Sequence, residues 1–127
     1  NSTLKPPALQ SFWGYYKGGA HPLSVVQQMA DTAIWVIDSA RQPYAIRSFR
    51  INYFSYDSYE DEQTGKIKTK RNLQSKEFQQ TNMLSDLWRQ FLFESLKPKD
   101  EILIDLISVK DRKGNIFYAP DIKIVVQ

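Results

Sequence analysis

The chain has 127 residues, of which 42% are hydrophobic and 13% aromatic, and its formal net charge is +3. This size and composition predict one folded domain with its own core and argue against intrinsic disorder. The absence of cysteine excludes disulfides, thiol nucleophiles and thiolate metal sites. No apolar run approaches the roughly 18 residues that span a bilayer, so we expect no membrane insertion by this segment.

The first part of the chain predicts extended segments and one short helix. Residues 1–7 are expected to form a linker that ends in a stiff pair of prolines. An aromatic-rich extended segment is predicted over 8–16, closed by a glycine-containing turn at 17–19. A helix is predicted over 22–30, because proline is tolerated at its first position. The β-branched, apolar run 32–37 predicts a buried strand.

The middle of the chain holds the most polar stretch of the sequence. It follows a predicted strand over 44–54, which we expect to be covered on both faces for part of its length. Residues 57–71, here named the arm, are acidic in the first half and basic in the second, with Thr64 and Gly65 between them. This order predicts a β-hairpin in which opposite charges pair across the strands. Its low apolar content indicates that it projects from the body.

The last part of the chain predicts four strands and a second helix. The helix is predicted over 85–96, since a serine suits the N-cap position and a proline follows the end. Strands are predicted over 78–84, 101–109, 116–118 and 122–126. With the earlier elements they predict one mainly β domain that begins at Ala8 and runs to the end of the chain. The expected fold class is an Ig-like β-sandwich of about seven strands with two short helices.

Residues suited to catalysis or metal binding are scarce. The single histidine, His21, stands beside a proline in a predicted turn, where we expect a solvated or capping role. The acidic half of the arm lacks the alternating oxygen ligands and central glycine of a calcium loop. No glycine-rich phosphate loop or nucleophile elbow is present. The sequence therefore predicts no catalytic residues, no cofactor and no metal site, and a domain that is not an enzyme.

The arm is the predicted site of interaction with other proteins. Its basic half could also pair cations with nearby tyrosine rings, as single-strand nucleic-acid binders do. The acidic half nearly cancels the basic half, so nucleic acid is not the expected partner. The candidate interaction residues are Tyr56, Tyr59, Glu60, Asp61, Glu62, Lys66, Lys68, Lys70 and Arg71.

A second hypothesis is a carbohydrate or cell-wall ligand module. Trp13, Tyr15 and Tyr16 could form a platform on which sugar rings stack. Strand aromatics more often belong to a core, which makes this the alternative rather than the leading hypothesis. Loss of glycan binding on Trp13→Ala would favour it.

From Lys17 onwards the sequence resembles a known family. Residues 96–100 read Leu-Lys-Pro-Lys-Asp and resemble the family's Leu-Lys-Pro-Gly-Asp. The following segment 101–110, the Gly114 turn and the ending at 122–124 fall in register without a gap. These features resemble the last periplasmic domain of GldM/PorM, the shaft protein of gliding motility and type IX secretion in Bacteroidetes. Lys99 in place of glycine, Arg112-Lys113 in place of Pro-Asp, and an elongated arm are departures.

The resemblance implies a non-catalytic, periplasmic, β-rich domain. In that family a membrane-anchored dimer couples an inner-membrane motor to an outer-membrane ring, which the terminal domain contacts. We therefore expect envelope or outer-membrane-associated proteins as partners, and a homodimer as a further expectation. The chain is expected to be either the excised tip of such a protein or a short relative.

Overall fold

The backbone pairs into one curled sheet of eight strands, accompanied by two helices. The computed structural model describes residues 6–127. The predicted mainly β class is confirmed, with eight strands among the described residues instead of about seven. The expected division into two stacked sheets is not confirmed, because pairing runs through all the strands. The elements are β1 Leu9–Trp13, β2 Gly19–His21, α1 Leu23–Met29, β3 Ile34–Asp38, β4 Pro43–Glu60, β5 Ile67–Gln79, α2 Asp86–Ser95, β6 Glu101–Lys110, β7 Ile116–Tyr118 and β8 Ile122–Val126.

The 18-residue strand β4 organises the sheet. The order is β1-β3-β4-β6-β8-β2, with β5 also paired to β4 and β7 also paired to β6. Along one edge of β4 lies first β3 and then β5, and β6 lies along the other edge. All pairs are antiparallel except β2 with β8.

Alternate residues of β4 form the centre of the core. Phe49, Ile51 and Tyr53 are buried on the inward face, as the period of two in a strand requires. The ring of Tyr53 packs edge-on against Phe91 of α2 at a centroid distance of 5.7 Å. α2 begins where predicted, because the side chain of Ser85 accepts a hydrogen bond from the backbone N–H of Trp88. The inward face of the sheet is thus closed in part by α2.

Several element boundaries differ from the sequence predictions. β1 ends at Trp13, since Gly14 turns the chain with a φ of +63°; a Cβ there would lie 2.6 Å from Thr32 Oγ1. The predicted strand 78–84 is not a separate element, because Phe78 belongs to the end of β5 and Leu84 lies in the loop before α2. β2 was not predicted. Of the predicted linker, residues 1–5 lie outside the described part of the chain, and the two prolines at 6 and 7 lie outside any strand.

Candidate functional site

The arm and the residues that flank it, Ser55, Tyr56 and Asn72, form a two-stranded ribbon that extends beyond the rest of the sheet. β6 pairs with β4 only as far as Phe54, which lies opposite Glu101. β4 and β5 continue for six more residue pairs, from Ser55–Asn72 to Glu60–Ile67, and no third strand accompanies them in the structure described for residues 6–127. At about 3.4 Å per residue the ribbon projects ~20 Å. The predicted hairpin is confirmed.

Asp61 builds the turn at the tip of the arm. Its Oδ1 accepts a hydrogen bond from the backbone N–H of Gln63 at 2.8 Å, and its carbonyl accepts one from Gly65 at 2.7 Å. Lys68 Nζ lies 2.6 Å from Asp61 Oδ2. The hydrogen bond from Lys68, followed by that from Gln63, lowers the pKa of the Asp61 carboxyl. The tip is therefore fixed by one carboxylate and its partners.

Charge pairing along the arm is only partly as predicted. Asp57 stands directly opposite Lys70, but its carboxylate accepts a hydrogen bond from Asn72 at 2.7 Å and lies 3.7 Å from the ammonium of Lys97. The acidic and basic halves thus share one direct ion pair, Asp61–Lys68. Other charges of the arm are available to a partner. Among residues 6–127, ion pairs do not involve Glu60, Glu62, Lys66, Lys70 or Arg71.

The base of the arm is anchored on the outward face of the sheet. Tyr56 donates its hydroxyl hydrogen to Glu101 Oε2 at 2.9 Å, and this hydrogen bond raises the pKa of Tyr56. Arg71, opposite Tyr56, lies over the ring of Phe54 at 4.1 Å from its centroid. Tyr59, farther out, remains half exposed. Of the predicted tyrosines, one anchors the arm and the other is presented on it.

β5 presents a long edge that pairs with no strand in the described part of the chain. Its only partner is β4, and 11 of its 13 residues are exposed. Leu73 on this strand has 56% of its surface exposed. The charge of the strand is mostly positive. Its basic residues are Lys68, Lys70, Arg71 and Lys76, against one acidic residue, Glu77.

A network of ionic and polar side chains lies on the outward face of the sheet, where it joins β5, β4 and β6. Arg50 binds Asp105 through two parallel hydrogen bonds, Nε to Oδ1 at 2.8 Å and Nη2 to Oδ2 at 2.6 Å. Asn52 donates to Asp105 Oδ1 at 2.9 Å and accepts from Ser75 Oγ at 2.8 Å. These side chains come from β4, β5 and β6, which are far apart in sequence, so no local pattern predicts the network.

Asp105→Asn should destabilise the fold at neutral pH and less so in acid. Hydrogen bonding by Arg50 lowers the pKa of Asp105. Its stabilising contribution is therefore present above the unfolded-state pKa of about 3.9 and is lost as pH falls through the folded-state pKa. We expect a loss of about 1.5 kcal/mol at about pH 7 that shrinks at about pH 2.5. Urea unfolding of both proteins at the two pH values measures it; an unchanged gap would contradict the assignment.

The segment that carries the family resemblance forms a tight turn around a buried carboxylate. Asp100 is fully buried and accepts hydrogen bonds from the Tyr53 hydroxyl at 2.6 Å, the Lys97 backbone N–H at 3.1 Å and Lys97 Nζ at 3.0 Å. Burial, then the bond to Asp100, raises the pKa of Tyr53. Lys99 has a φ of +80°, the left-handed region that favours glycine.

The aromatic platform proposed for sugars does not form as predicted. Trp13 is fully buried in the core, whereas Tyr15 is 90% exposed. Tyr16 instead packs against the ring of His21 at a centroid distance of 4.6 Å. His21 lies in β2, with Nε2 at 2.9 Å from the carbonyl oxygen of Gly18. Trp13 therefore has no surface to offer a ligand.

The described residues form neither a metal-ligand cluster nor a membrane-spanning helix. Within residues 6–127, no three His, Asp or Glu side chains are grouped so that they could hold a metal ion. Neither helix of this part of the chain has the length and apolar character to cross a membrane.

Comparisons with known proteins return no neighbour. No family model matches the sequence, no curated protein matches it, and no solved structure matches the fold. Nothing in these comparisons links the chain to the shaft-protein family that the sequence resembles.

Proposed function

We propose that the chain is a non-catalytic protein-interaction domain of the bacterial periplasm that docks its partner on the arm and the free edge of β5. The observation that carries the proposal is the projection of the arm by six residue pairs beyond the sheet, with one long edge unpaired in the described residues. Such an edge presents backbone N–H and C=O groups to another strand. The ribbon buries few apolar side chains of its own, so a partner strand that covers it would stabilise it more than any other part of the sheet.

The mode of docking is addition of an extended segment alongside β5. Backbone hydrogen bonds give such complexes their affinity, and alternate side chains give specificity. The exposed Leu73 offers an apolar contact near the middle of the strand. Since four basic residues and one acidic residue line β5, the partner segment is acidic. Association is then faster at low salt.

The family resemblance is the reason for proposing a periplasmic location and envelope proteins as partners. It implies contact with outer-membrane-associated components of a secretion and gliding machinery, by a domain at the tip of a dimeric shaft. Support comes from the turn at residues 96–100, where the family has glycine at the position that Lys99 occupies with a positive φ. The buried Asp100 gives a structural reason for an aspartate at the end of that turn. Nucleic acid is not proposed, since the arm contains equal numbers of acidic and basic residues.

Site-specific photocrosslinking tests the docking surface. A photoreactive amino acid is placed at Leu73 on β5 or, as a matched control, at Leu87 on α2, which is 77% exposed. The two proteins are added to envelope extract of the source organism. We expect an envelope protein to crosslink at position 73 and not at 87, with the crosslink weakened by salt.

A shortened arm provides the second variant. Replacing residues 58–69 by Asn-Gly joins the opposed pair Asp57 and Lys70 through a two-residue hairpin turn. This removes the tip of the arm and the outer three of the six projecting residue pairs, while the core strands keep their pairing. The shortened protein should fold and lose the crosslink at position 73. Equal crosslinking at positions 73 and 87, or an undiminished crosslink in the shortened protein, would refute docking on the arm.

A further inference from the structure

A shallow depression lies on the outward face of β1 and β3, on a part of the molecule distinct from the arm. Its volume is about 510 Å³, within the range of roughly 300–1,000 Å³ for ligand sites. Phe12 and Trp35 stand directly opposite each other in the strand pair, next to the pair Gln10 and Ile37. The depression is lined by Gln10, Phe12, Lys17, Trp35, Ile37 and Arg41.

Trp35 forms a pre-oriented ring platform in this depression. Its ring stacks on Phe12 at a centroid distance of 4.2 Å and an interplanar angle of 11°. The indole N–H donates to the carbonyl oxygen of Gly14 at 2.7 Å, which fixes the orientation of the ring. Lys17 Nζ lies over Phe12, 5.5 Å from its centroid. Phe12 is thus flanked by Trp35 and Lys17, while Trp35 keeps 39% of its surface exposed.

The charge of the depression is positive. Lys17 and Arg41 line it, and none of the six lining residues is acidic. Neither cation takes part in an ion pair with another residue of the described chain. An anionic ligand would therefore gain two charge-assisted contacts without displacing a carboxylate of the described residues.

We propose that this depression binds an acidic polysaccharide, with one sugar ring stacked on Trp35 and carboxylates bound by Lys17 and Arg41. The polarised C–H groups on the face of a pyranose suit the negative face of the indole. The amide of Gln10 can exchange hydrogen bonds with sugar hydroxyls. A single-stranded nucleic acid fits less well, because it needs several stacking rings along a basic groove. This site is independent of protein docking on the arm.

Binding of oligogalacturonate to the intact chain tests the proposal, by calorimetry and by tryptophan fluorescence. Because the chain has three tryptophans, the signal from Trp35 is the fluorescence change that Trp35→Ala abolishes. A neutral cello-oligosaccharide of equal length and a single-stranded DNA oligonucleotide serve as comparison ligands. Trp35→Ala removes the platform, and Lys17→Gln with Arg41→Gln removes the cations while leaving the rings. Tyr15→Ala and Lys66→Gln with Lys70→Gln are the matched controls, since they remove an exposed aromatic and two cations outside the depression.

The acidic oligosaccharide should bind at least about tenfold more tightly than the neutral one, and both sets of site variants should weaken it about tenfold or more. The two control variants should leave its affinity unchanged, and salt should weaken binding. The proposal is overturned by absence of oligogalacturonate binding at millimolar concentration, or by equal losses in the site and control variants. Tighter, Trp35-dependent binding of the DNA would also overturn it, in favour of nucleic acid.

Discussion

Trp13→Ala is expected to lower the free energy of unfolding by about 4 kcal/mol, the usual cost of removing a large aromatic side chain from a core. Trp13 is the largest fully buried side chain of the chain's described part and belongs to the central hydrophobic cluster. Its indole N–H is buried without a hydrogen-bond partner, so the stabilisation comes from packing. Urea unfolding followed by circular dichroism measures the effect.

Tyr15→Ala is the matched control for this prediction. Tyr15 stands two positions away and is 90% exposed, so its removal should change the stability by less than about 0.5 kcal/mol. Similar effects of the two substitutions would contradict the buried position of Trp13. Because Trp13→Ala acts on folding, any loss of ligand binding in that variant reports unfolding and does not identify a sugar site.

Asp100→Ala is expected to cost about 3 kcal/mol, the second largest effect of a single substitution. The substitution removes the carboxylate that binds the Tyr53 hydroxyl and the Lys97 backbone N–H. Deleting one member of a buried, charged hydrogen-bond cluster leaves buried polar groups less well satisfied. The Lys97 backbone N–H loses its acceptor, and the Tyr53 hydroxyl keeps only the Ser95 carbonyl oxygen at 3.1 Å. The turn at residues 96–100 should loosen first, and hydrogen exchange at Lys97 should accelerate. Chemical denaturation gives the overall loss.

Asp57→Ala is the control for Asp100→Ala, because it removes an exposed carboxylate near Lys97 in place of the buried one. Asp57 also approaches Lys97, at 3.7 Å, but its side chain is mostly exposed. Exposed ion pairs contribute little, so we expect a change below about 0.5 kcal/mol. A loss in Asp100→Ala as small as in Asp57→Ala would show that Asp100 does not organise the turn.

Local signals in the sequence located the helices and the arm. Ser85 predicts the start of α2, because a serine side chain satisfies a free backbone N–H there, and the structure places Ser85 at that N-cap. The charge reversal around Thr64 and Gly65 predicts the hairpin for a similarly local reason. Leu87 of α2 is apolar but largely exposed. Periodicity predicts which face of a helix is apolar, but it does not predict which residues at the edge of that face are buried against another element.

Long-range pairing is what the sequence could not predict. β2 consists of Gly19, Ala20 and His21, none of which favours a strand, and it forms only because β8 lies alongside. The stretch of β5 between the arm and Phe78 is polar and lacks apolar alternation. The sequence therefore did not predict that β5 is one continuous strand. Pairing with β4 is what holds this polar stretch in an extended conformation.

The candidate site was predictable in composition but not in arrangement. The nine charged and tyrosine residues predicted for the arm do lie on one hairpin. Their partners came from elsewhere: Glu101 of β6 holds Tyr56, and Phe54 lies under Arg71. Contacts between side chains far apart in sequence leave no local pattern, and the same is true of the Trp35 platform, which depends on a carbonyl at Gly14.

The continuity of β4 from the core into the arm constrains how the arm can vary in length. Tyr53 points into the core and Tyr56, three positions on, points outward, since successive side chains alternate. One extra residue in each strand between the core and the tip would turn every distal side chain, Tyr59 and Lys68 included, to the opposite face. Two extra residues in each strand would lengthen the ribbon by about 7 Å and restore the original faces. Relatives with the same binding face should therefore carry arms whose strands differ by even numbers of residues.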